Sequence, residues 1–190
     1  EVDFAKQTGC TKKYGIEFVN WQEDGKSFKH NFQKSDDMYA YHFDARLVAE
    51  YLQNVSEQRS IKYIDGLITG FNENETGINQ IVLEDGNLID CDFIFDCSGF
   101  QRLIIGKHFK TEWKSYDADL FCNSALAFFL PQPNPNIQNE KTWTKGIAMK
   151  NGWVWEAPLK HRRGCGYVYS DKHTNEVEVL NELEEYYGEE

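Results

Sequence analysis

No two cysteines of the sequence stand at the C-x-x-C spacing, although five cysteines are spread along its 190 residues. They are an odd number at wide intervals: Cys10, Cys91, Cys97, Cys122 and Cys165. This usage argues against a zinc site and against a disulfide framework, so no metal is expected. Unpaired cysteines also favour a reducing compartment, and we expect the protein in the cytoplasm.

Long apolar runs and an excess of basic residues are missing as well. No stretch approaches the twenty apolar residues of a membrane span, and no signal-like segment is present. Lys and Arg total 20 against 31 Asp and Glu, which gives a formal net charge of −11. Nucleic acid and anionic membrane surfaces would be repelled by this charge, so we expect neither as a partner.

A G-x-G-x-x-G motif after an opening strand is also absent, and with it the usual diphosphate cradle of dinucleotide-binding proteins. The chain begins at Glu1 without methionine and ends just after a stretch of helical periodicity. Its length suits one ordinary domain. We therefore interpret residues 1–190 as a single domain from the central portion of a longer protein.

Two periodicities alternate along the chain, which predicts a mixed α/β fold rich in strands. Alternating apolar residues predict strands at 61–71, 78–83 and 87–92, with further strands at 13–21, 121–130, 142–158 and 166–170, and a continuous apolar run predicts a short strand at 93–95. Helical spacing predicts helices over 45–58 and 175–186, the first with Asp44 as its N-cap. The last helix is predicted to bury a stripe with Val177, Leu180 and Leu183.

The apolar run FIF at 93–95 is followed directly by small and polar residues, DCSG at 96–99. A short strand buried on both faces that ends in this way is typical of a nucleotide crevice, because ligands collect at the carboxyl ends of such strands. A buried strand that ends in a purely structural turn is the alternative.

Residues 152–158 read GWVWEAP and place two tryptophans two positions apart. On a strand, Trp153 and Trp155 would lie on one face while Val154 and Glu156 point the other way. The pair is then either part of the core or the wall of a pocket.

Five blocks, in order FVNW, YHFDA, FDCSGF, GWVWEAP and GYVYS, closely resemble the flavin-dependent halogenases of the tryptophan halogenase type. The resemblance implies part of an FAD-binding, flavoprotein monooxygenase-like fold with a strand-rich sheet on the substrate side. It also implies FAD reduced by a separate flavin reductase, with molecular oxygen as the oxidant that converts chloride or bromide to hypohalous acid. That acid would pass through a tunnel to a lysine, which forms a haloamine or holds the acid by a hydrogen bond, and would halogenate an electron-rich aromatic substrate.

The resemblance also implies which residues act. Lys13 matches the catalytic lysine in the pattern K-x-x-I-x-F, with Lys12 as the competitor, and strand alternation puts Lys13 opposite Tyr14, Ile16 and Phe18. The tunnel wall is matched by Trp153, Trp155 and Pro158, although Ala157 stands where the family has isoleucine. The turn against the flavin is matched by Asp96, Ser98, Gly99 and Phe100, and adenine contact is assigned to the predicted strand around Ile64.

Compared with the family, the chain lacks the N-terminal dinucleotide cradle and the C-terminal helical region with its catalytic glutamate. Only nine residues separate Phe32 from His42, where the family has a longer segment. We expect this stretch alone to be inactive, and a homo-oligomer is left open. The rival interpretations are a flavoprotein aromatic hydroxylase of the same superfold and a non-catalytic binding module.

Overall fold

The computed structural model describes residues 2–32 and 37–188, and these fall into two compact units. The first unit comprises the described residues up to Arg59 and from Asp117 onward, and the second comprises Ser60–Tyr116. The mixed α/β fold is confirmed. That residues 1–190 form a single domain stays a prediction.

The first unit is a sheet with helices. Its elements are α1 (Val2–Thr8), β1 (Thr11–Val19), β2 (Phe28–Asn31), β3 (Ala40–His42), α2 (Ala45–Gln58), β7 (Ser124–Pro131), β8 (Thr142–Ala148), β9 (Gly152–Pro158), β10 (Arg162–Tyr169) and α3 (Glu176–Tyr187). The seven strands run in the order β2-β1-β8-β9-β10-β7, and β3 also pairs with β1. Only β1 and β8 pair in parallel; the other pairs are antiparallel.

The predicted helix over 45–58 is confirmed to the residue as α2. Asp44 caps it by accepting a hydrogen bond from the backbone N–H of Arg46, at 3.0 Å. The other carboxylate oxygen of Asp44 accepts from Arg162 at 2.6 Å. The Asp44 side chain therefore caps the start of α2 and pairs with the first residue of β10.

Helix α3 covers one face of the sheet and closes the core. Asn175 caps it by accepting from two backbone N–H groups. The helix buries Val179 and Leu183, one turn apart, whereas Val177 is 66% exposed and Leu180 is 42% exposed. The predicted stripe is therefore wrong for Val177 and Leu180, because the sheet meets the face that carries 179 and 183.

The second unit is built on three antiparallel strands, β4 (Ile68–Asn74), β5 (Gly77–Leu83) and β6 (Leu88–Asp90). The predicted Asp85-Gly86 hairpin turn is confirmed: Gly86 has a φ of +84°, and the backbone N–H of Leu83 donates to the carbonyl of Asn87. A short 3₁₀ turn (Gly99–Gln101) and a π-helix (Leu103–His108) follow the strands.

Two strand predictions in the second unit are wrong. Residues 93–95 are irregular, with Phe93 77% and Phe95 84% exposed. A strand buried on both faces needs a strand on each side, and no described strand pairs with this run. The predicted strand over 61–71 begins only at Ile68, so the segment that carries Ile64 is irregular.

Within the described residues, no helix combines the length and the apolar character needed to cross a membrane. The short segment between Phe32 and His42 includes residues 33–36, which lie outside the described residues.

Candidate active site

Lys13 lies on β1 and is paired with Thr142 of the parallel neighbour β8. The pairing then shifts, so that the next matched residues are Ile16 and Thr144. Because Thr142 and Thr144 share one face of β8, Lys13 and Ile16 share one face of β1. The prediction that Lys13 lies opposite Ile16 and Phe18 is therefore wrong.

Gly15 occupies the shift in register that turns Lys13 to this face. It is paired with Asn31 of β2, and a Cβ atom at Gly15 would overlap the backbone carbonyl oxygen of His30. Only glycine allows this approach. An extra residue in one strand reverses the alternation beyond it. The glycine therefore decides which way the lysine points.

His42, at the end of β3, fills the space near Lys13 with a ring that is only 5% exposed. Its Nδ1 lies 3.3 Å from Thr11 Oγ1 and 3.1 Å from Thr142 Oγ1. Its Nε2 lies 2.8 Å from Thr144 Oγ1. Three threonines from two strands therefore hold the ring through both nitrogens, and we call His42 with these three residues the histidine seat.

The threonine hydroxyls decide which ring nitrogen carries the proton. Thr11 donates to the carbonyl oxygen of Pro158 at 2.7 Å, and Thr142 donates to a β1 carbonyl oxygen at 2.6 Å. A hydroxyl has one proton, so both can only accept at Nδ1, which must be the N–H. Nε2 then accepts from Thr144. The seat fixes His42 as the neutral Nδ1–H tautomer.

Both titratable groups at this place have shifted pKa values. Burial, and then the charge of Lys13, lower the pKa of His42 to about 4, so the ring is neutral near pH 7. Burial also lowers the pKa of Lys13. Among the described residues no carboxylate lies within ion-pair distance of Lys13 Nζ, which is 5.6 Å from the centroid of the Phe32 ring.

Lys12, the alternative candidate, is exposed, and its Nζ lies 4.1 Å from the centroid of the Tyr39 ring. Neighbouring residues of a strand face opposite ways, so Lys12 turns away from the histidine seat. The structure thus distinguishes the two lysines by their surroundings.

The tryptophan pair lies on the sheet face opposite α3. The predicted alternation is confirmed: Val154 and Glu156 are 0% and 4% exposed, while Trp153 and Trp155 are partly buried. The two indole centroids are 6.4 Å apart at an interplanar angle of 61°. The core side chain of this strand is therefore Val154.

Glycines occupy the positions next to Trp155 on both neighbouring strands. The residues matched to it on the two neighbouring strands are Gly146 and Gly166, and a Cβ at Gly166 would overlap the indole. Trp21 adds a further ring nearby, since its indole N–H donates to the carbonyl of Gly146 at 2.7 Å. Asn20, with a φ of +60°, turns the chain to bring Trp21 back.

Lys13 and Trp155 lie on the same face of the sheet. Lys13 is matched to Thr142 and Trp155 to Gly146, both on β8, and positions 142, 144 and 146 share one face. Strand geometry puts the two Cα atoms roughly 15 Å apart. The structure therefore brings the predicted lysine and the two tryptophans of the predicted wall to one surface, whereas Pro158 alternates with Trp155 and faces the α3 side, with Glu156.

Pro158 ends β9 and contributes its carbonyl group, which accepts from Thr11 of the histidine seat. Ala157 is matched to Gly164 on β10. The end of the predicted wall is therefore connected to the His42 ring through Thr11.

The predicted flavin turn belongs to the second unit and is held by its own side chains. Asp96 accepts from the N–H and the hydroxyl of Ser98 and from the N–H of Ile104, and these bonds lower the pKa of its carboxyl. Ser98 Oγ also accepts from the N–H of Leu103 at 2.9 Å. Asp96 and Ser98 are therefore engaged in starting the π-helix.

Gly99 and Phe100 are the open part of this turn. Gly99 has a φ of +59°, and nothing lies within 4 Å of the position that a Cβ would take. Phe100 is 100% exposed, and Ile64 is 37% exposed. The turn presents backbone and one aromatic ring on its outside.

Two residues of this site were missed by sequence reasoning. The sequence places His42 only in the YHFDA block before the first predicted helix, and Trp21 only in the FVNW block. Helix capping by Asp44 is confirmed. The alternating aromatic residues Tyr39, Tyr41 and Phe43 are the local signal for a strand, but nothing local predicts contacts between His42 and residues 142 and 144.

The comparisons with known proteins agree with one another. The tryptophan halogenase family model matches residues 33–190. Tryptophan 7-halogenase KtzQ of Kutzneria sp. (strain 744) is 33% identical over 147 residues, or 76% of this chain and 27% of that protein. Tryptophan 7-halogenase RebH of Lentzea aerocolonigenes is also 33% identical over 147 residues, or 76% of this chain and 28% of that protein.

Among solved structures, the flavin-dependent halogenase Xcc4156 from Xanthomonas campestris superposes with a TM-score of 0.84 at 26% identity. The match covers 96% of this chain and 46% of that chain. The chain therefore spans less than a third of these two curated relatives and less than half of this solved one.

Proposed function

The chain belongs to the tryptophan halogenase family, and we propose that the whole protein halogenates an electron-rich aromatic substrate of indole or phenol type, using FAD. Both curated relatives are named for tryptophan, which supports an indole. The family match begins after β1, so the role of Lys13 rests on its surroundings.

The residues of the second unit fit a flat cofactor at one place, the turn that carries Gly99. Open space above this glycine allows a planar ring to approach the backbone, and Phe100 offers a ring to stack on. Bound FAD, reduced by a separate reductase and using molecular oxygen as the oxidant, would supply the oxidation of chloride or bromide to hypohalous acid. We propose Gly99 and Phe100 as its contacts, with Asp96 and Ser98 shaping the turn and Ile64 as the contact for the adenine.

Lys13 would act on the oxidised halogen. Its lowered pKa increases the fraction of neutral amine, and only that form has a lone pair for the halogen. If a haloamine forms, an N–halogen bond replaces the O–halogen bond and water leaves; the substrate ring then takes the halogen and releases a proton. If the acid is held intact, the amine orients it by a hydrogen bond.

Trp153 and Trp155 would separate the substrate from the cofactor. Two partly buried indoles on the same face as Lys13 make a rigid apolar wall, with Pro158 at its end. Such a wall would admit a small acid and exclude an aromatic substrate.

The observation that carries the proposal is a lysine with a lowered pKa and no carboxylate partner among the described residues, on the tryptophan face. In the whole protein, Lys13→Ala should reduce halide-dependent product to below about a tenth, a barrier increase above ~1.4 kcal/mol, while flavin binding is kept. Lys12→Ala is the matched control and should keep its activity. Product that survives Lys13→Ala, or hydroxylated product without halide dependence, would contradict the proposal.

A further inference from the structure

The group beside Lys13 is the uncharged ring of His42 and not a carboxylate counter-ion. His42 is among the most buried polar side chains of the first unit, and its contacts are with threonine hydroxyls. A carboxylate in this place would pair with an ammonium group and hold it charged. The neutral His42 ring occupies this place instead.

Both nitrogens of the His42 ring have hydrogen-bond partners, which hold the ring in one orientation. Nδ1–H is shared between Thr11 and Thr142, and the lone pair of Nε2 is taken by Thr144. Rotating the ring would place a lone pair against two oxygens that have already used their protons. His42 therefore has no acceptor left for the amine of Lys13.

We propose that His42 is a positioning residue for Lys13: the clamped neutral ring keeps water and counter-charge away from the amine. This inference rests on the proposed function, because it gives the amine a reason to be neutral. Like charges strengthen the arrangement, since the charge of Lys13 disfavours protonation of His42 and a protonated ring would in turn disfavour the ammonium.

Of the other titratable side chains on the packed strands, His30 of β2 is matched to Ile16 and so shares the Lys13 face, where it is exposed, while the following groups face elsewhere. Lys12 of β1 lies over Tyr39. Lys145 of β8 pairs with Glu156 at 3.3 Å on the α3 side of the sheet. The remaining nearby cations lie over rings, Lys29 of β2 over Trp143 and Lys141, just before β8, over Tyr14. Burial is thus the influence on the amine that remains, and the His42 ring is the part of it that the variants below test.

The test measures the amine directly and does not depend on turnover. Acetic anhydride labelling of the whole protein across a pH series, read by peptide mass spectrometry, gives the midpoint at which Lys13 becomes reactive. His42→Asn keeps an N–H donor for Thr11 and Thr142 but opens space for water beside Lys13. We expect the Lys13 midpoint to rise by about 0.5 to 1 pH unit, while Lys12, read in the same experiment, stays unchanged.

Two further variants separate positioning from general stability. Val154→Ala weakens the core on the other sheet face and should leave the Lys13 midpoint in place, even though the protein melts earlier. Thr144→Val removes the donor to Nε2 while keeping the shape, and should raise the midpoint by less than His42→Asn. Thr144→Val alone carries the test if His42→Asn does not fold.

An unchanged Lys13 midpoint in the folded His42 variant, or an equal rise in Val154→Ala, would overturn the inference. Failure of the proposed function gives a different result: Lys13→Ala would then keep its activity, whatever the labelling shows. In the whole protein, a raised midpoint in His42→Asn should also move the acidic limb of the kcat profile to higher pH, which loss of folding alone would not do.

Discussion

The two units of the chain differ in how deeply their apolar side chains are buried. In the first, Val154 and Val179 are 0% exposed under a helix that lies on the sheet. In the second, Leu83 is the one buried residue between positions 60 and 116, while Phe95 and Phe100 are 84% and 100% exposed. A large sheet with a packed helix closes a core, whereas three short strands alone cannot.

The difference extends to the groups proposed to act. In the first unit, the surroundings of Lys13 are side chains with fixed hydrogen bonds, so side-chain substitutions should test them. In the second, Asp96 and Ser98 serve the turn itself, and Gly99 offers its backbone. Substitutions that add bulk or strain to the backbone should therefore test the second unit.

The largest expected effect is a loss of stability of the first unit in mild acid, and it comes from His42. Its folded-state pKa of about 4 lies below the ordinary 6.5, so the unfolded chain binds the proton first as the pH falls. The contribution of His42 to the free energy of unfolding should be complete above pH 6.5. About 3 kcal/mol of it should be lost between pH 6.5 and 4, as measured by urea denaturation.

His42→Asn removes the titrating ring, and the fall in stability over this range should shrink by about the same amount. His30→Asn, at an exposed position on β2, should leave the fall as it is in the parent. The same fall in His42→Asn and in the parent would show that the buried ring is not its source.

The next effect compares the two units directly. Val154→Ala should cost about 2–3 kcal/mol, because it leaves a cavity in a closed core. Phe95→Ala removes a larger side chain but should change the stability of the 190-residue chain by less than about 0.5 kcal/mol, since its ring is already in solvent. Denaturant titrations of both variants give the two changes in the free energy of unfolding. A Phe95→Ala loss as large as that of Val154→Ala would contradict the difference in burial between the two units.

Sequence patterns predicted elements well where an element and its partners are both present. Helix α2 and the turn at Gly86 depend on local signals, a cap and a φ above zero, and both are confirmed. The strand predicted over 93–95 has a strong apolar pattern, yet no described strand pairs with it. Hydrophobicity indicates that a segment can be buried, but the partner strand decides whether it is.

The members of the candidate site are proposed from the sequence, whereas its geometry follows from contacts that the sequence does not predict. The face of Lys13 depends on Gly15 meeting the carbonyl of His30, a contact with another strand that no alternation rule contains. The histidine seat joins Thr11 to residues more than a hundred positions away along the chain. Such long-range contacts leave no spacing in the sequence.

A smaller effect is expected at the glycines of the second unit. Gly99 and Gly86 both have a positive φ, +59° and +84°, and neither has an atom within 4 Å of the position that a Cβ would take. Alanine at either site should cost about 1 kcal/mol through backbone strain alone. Only Gly99→Ala should also weaken flavin binding in the whole protein, by about tenfold in Kd or ~1.4 kcal/mol. A fluorescence titration in which both variants bind flavin equally well would remove the turn from the site.

A loss of about 1 kcal/mol, at the low end of the usual cost of overpacking, is expected from Gly166→Ala, and this variant tests the wall. A methyl group there would overlap the indole of Trp155, whereas the nearest atoms to a methyl group at Gly164 are 4.0 Å away. The two positions are two residues apart on β10, so Gly164→Ala is a matched control. Only Gly166→Ala should displace the indole and shift the tryptophan emission.

If the indole excludes substrate from the cofactor, its displacement should also lower the ratio of halogenated product to hydrogen peroxide plus hydroxylated product. A shifted emission with an unchanged ratio would leave Trp155 as packing and give the proposed wall no part in the reaction.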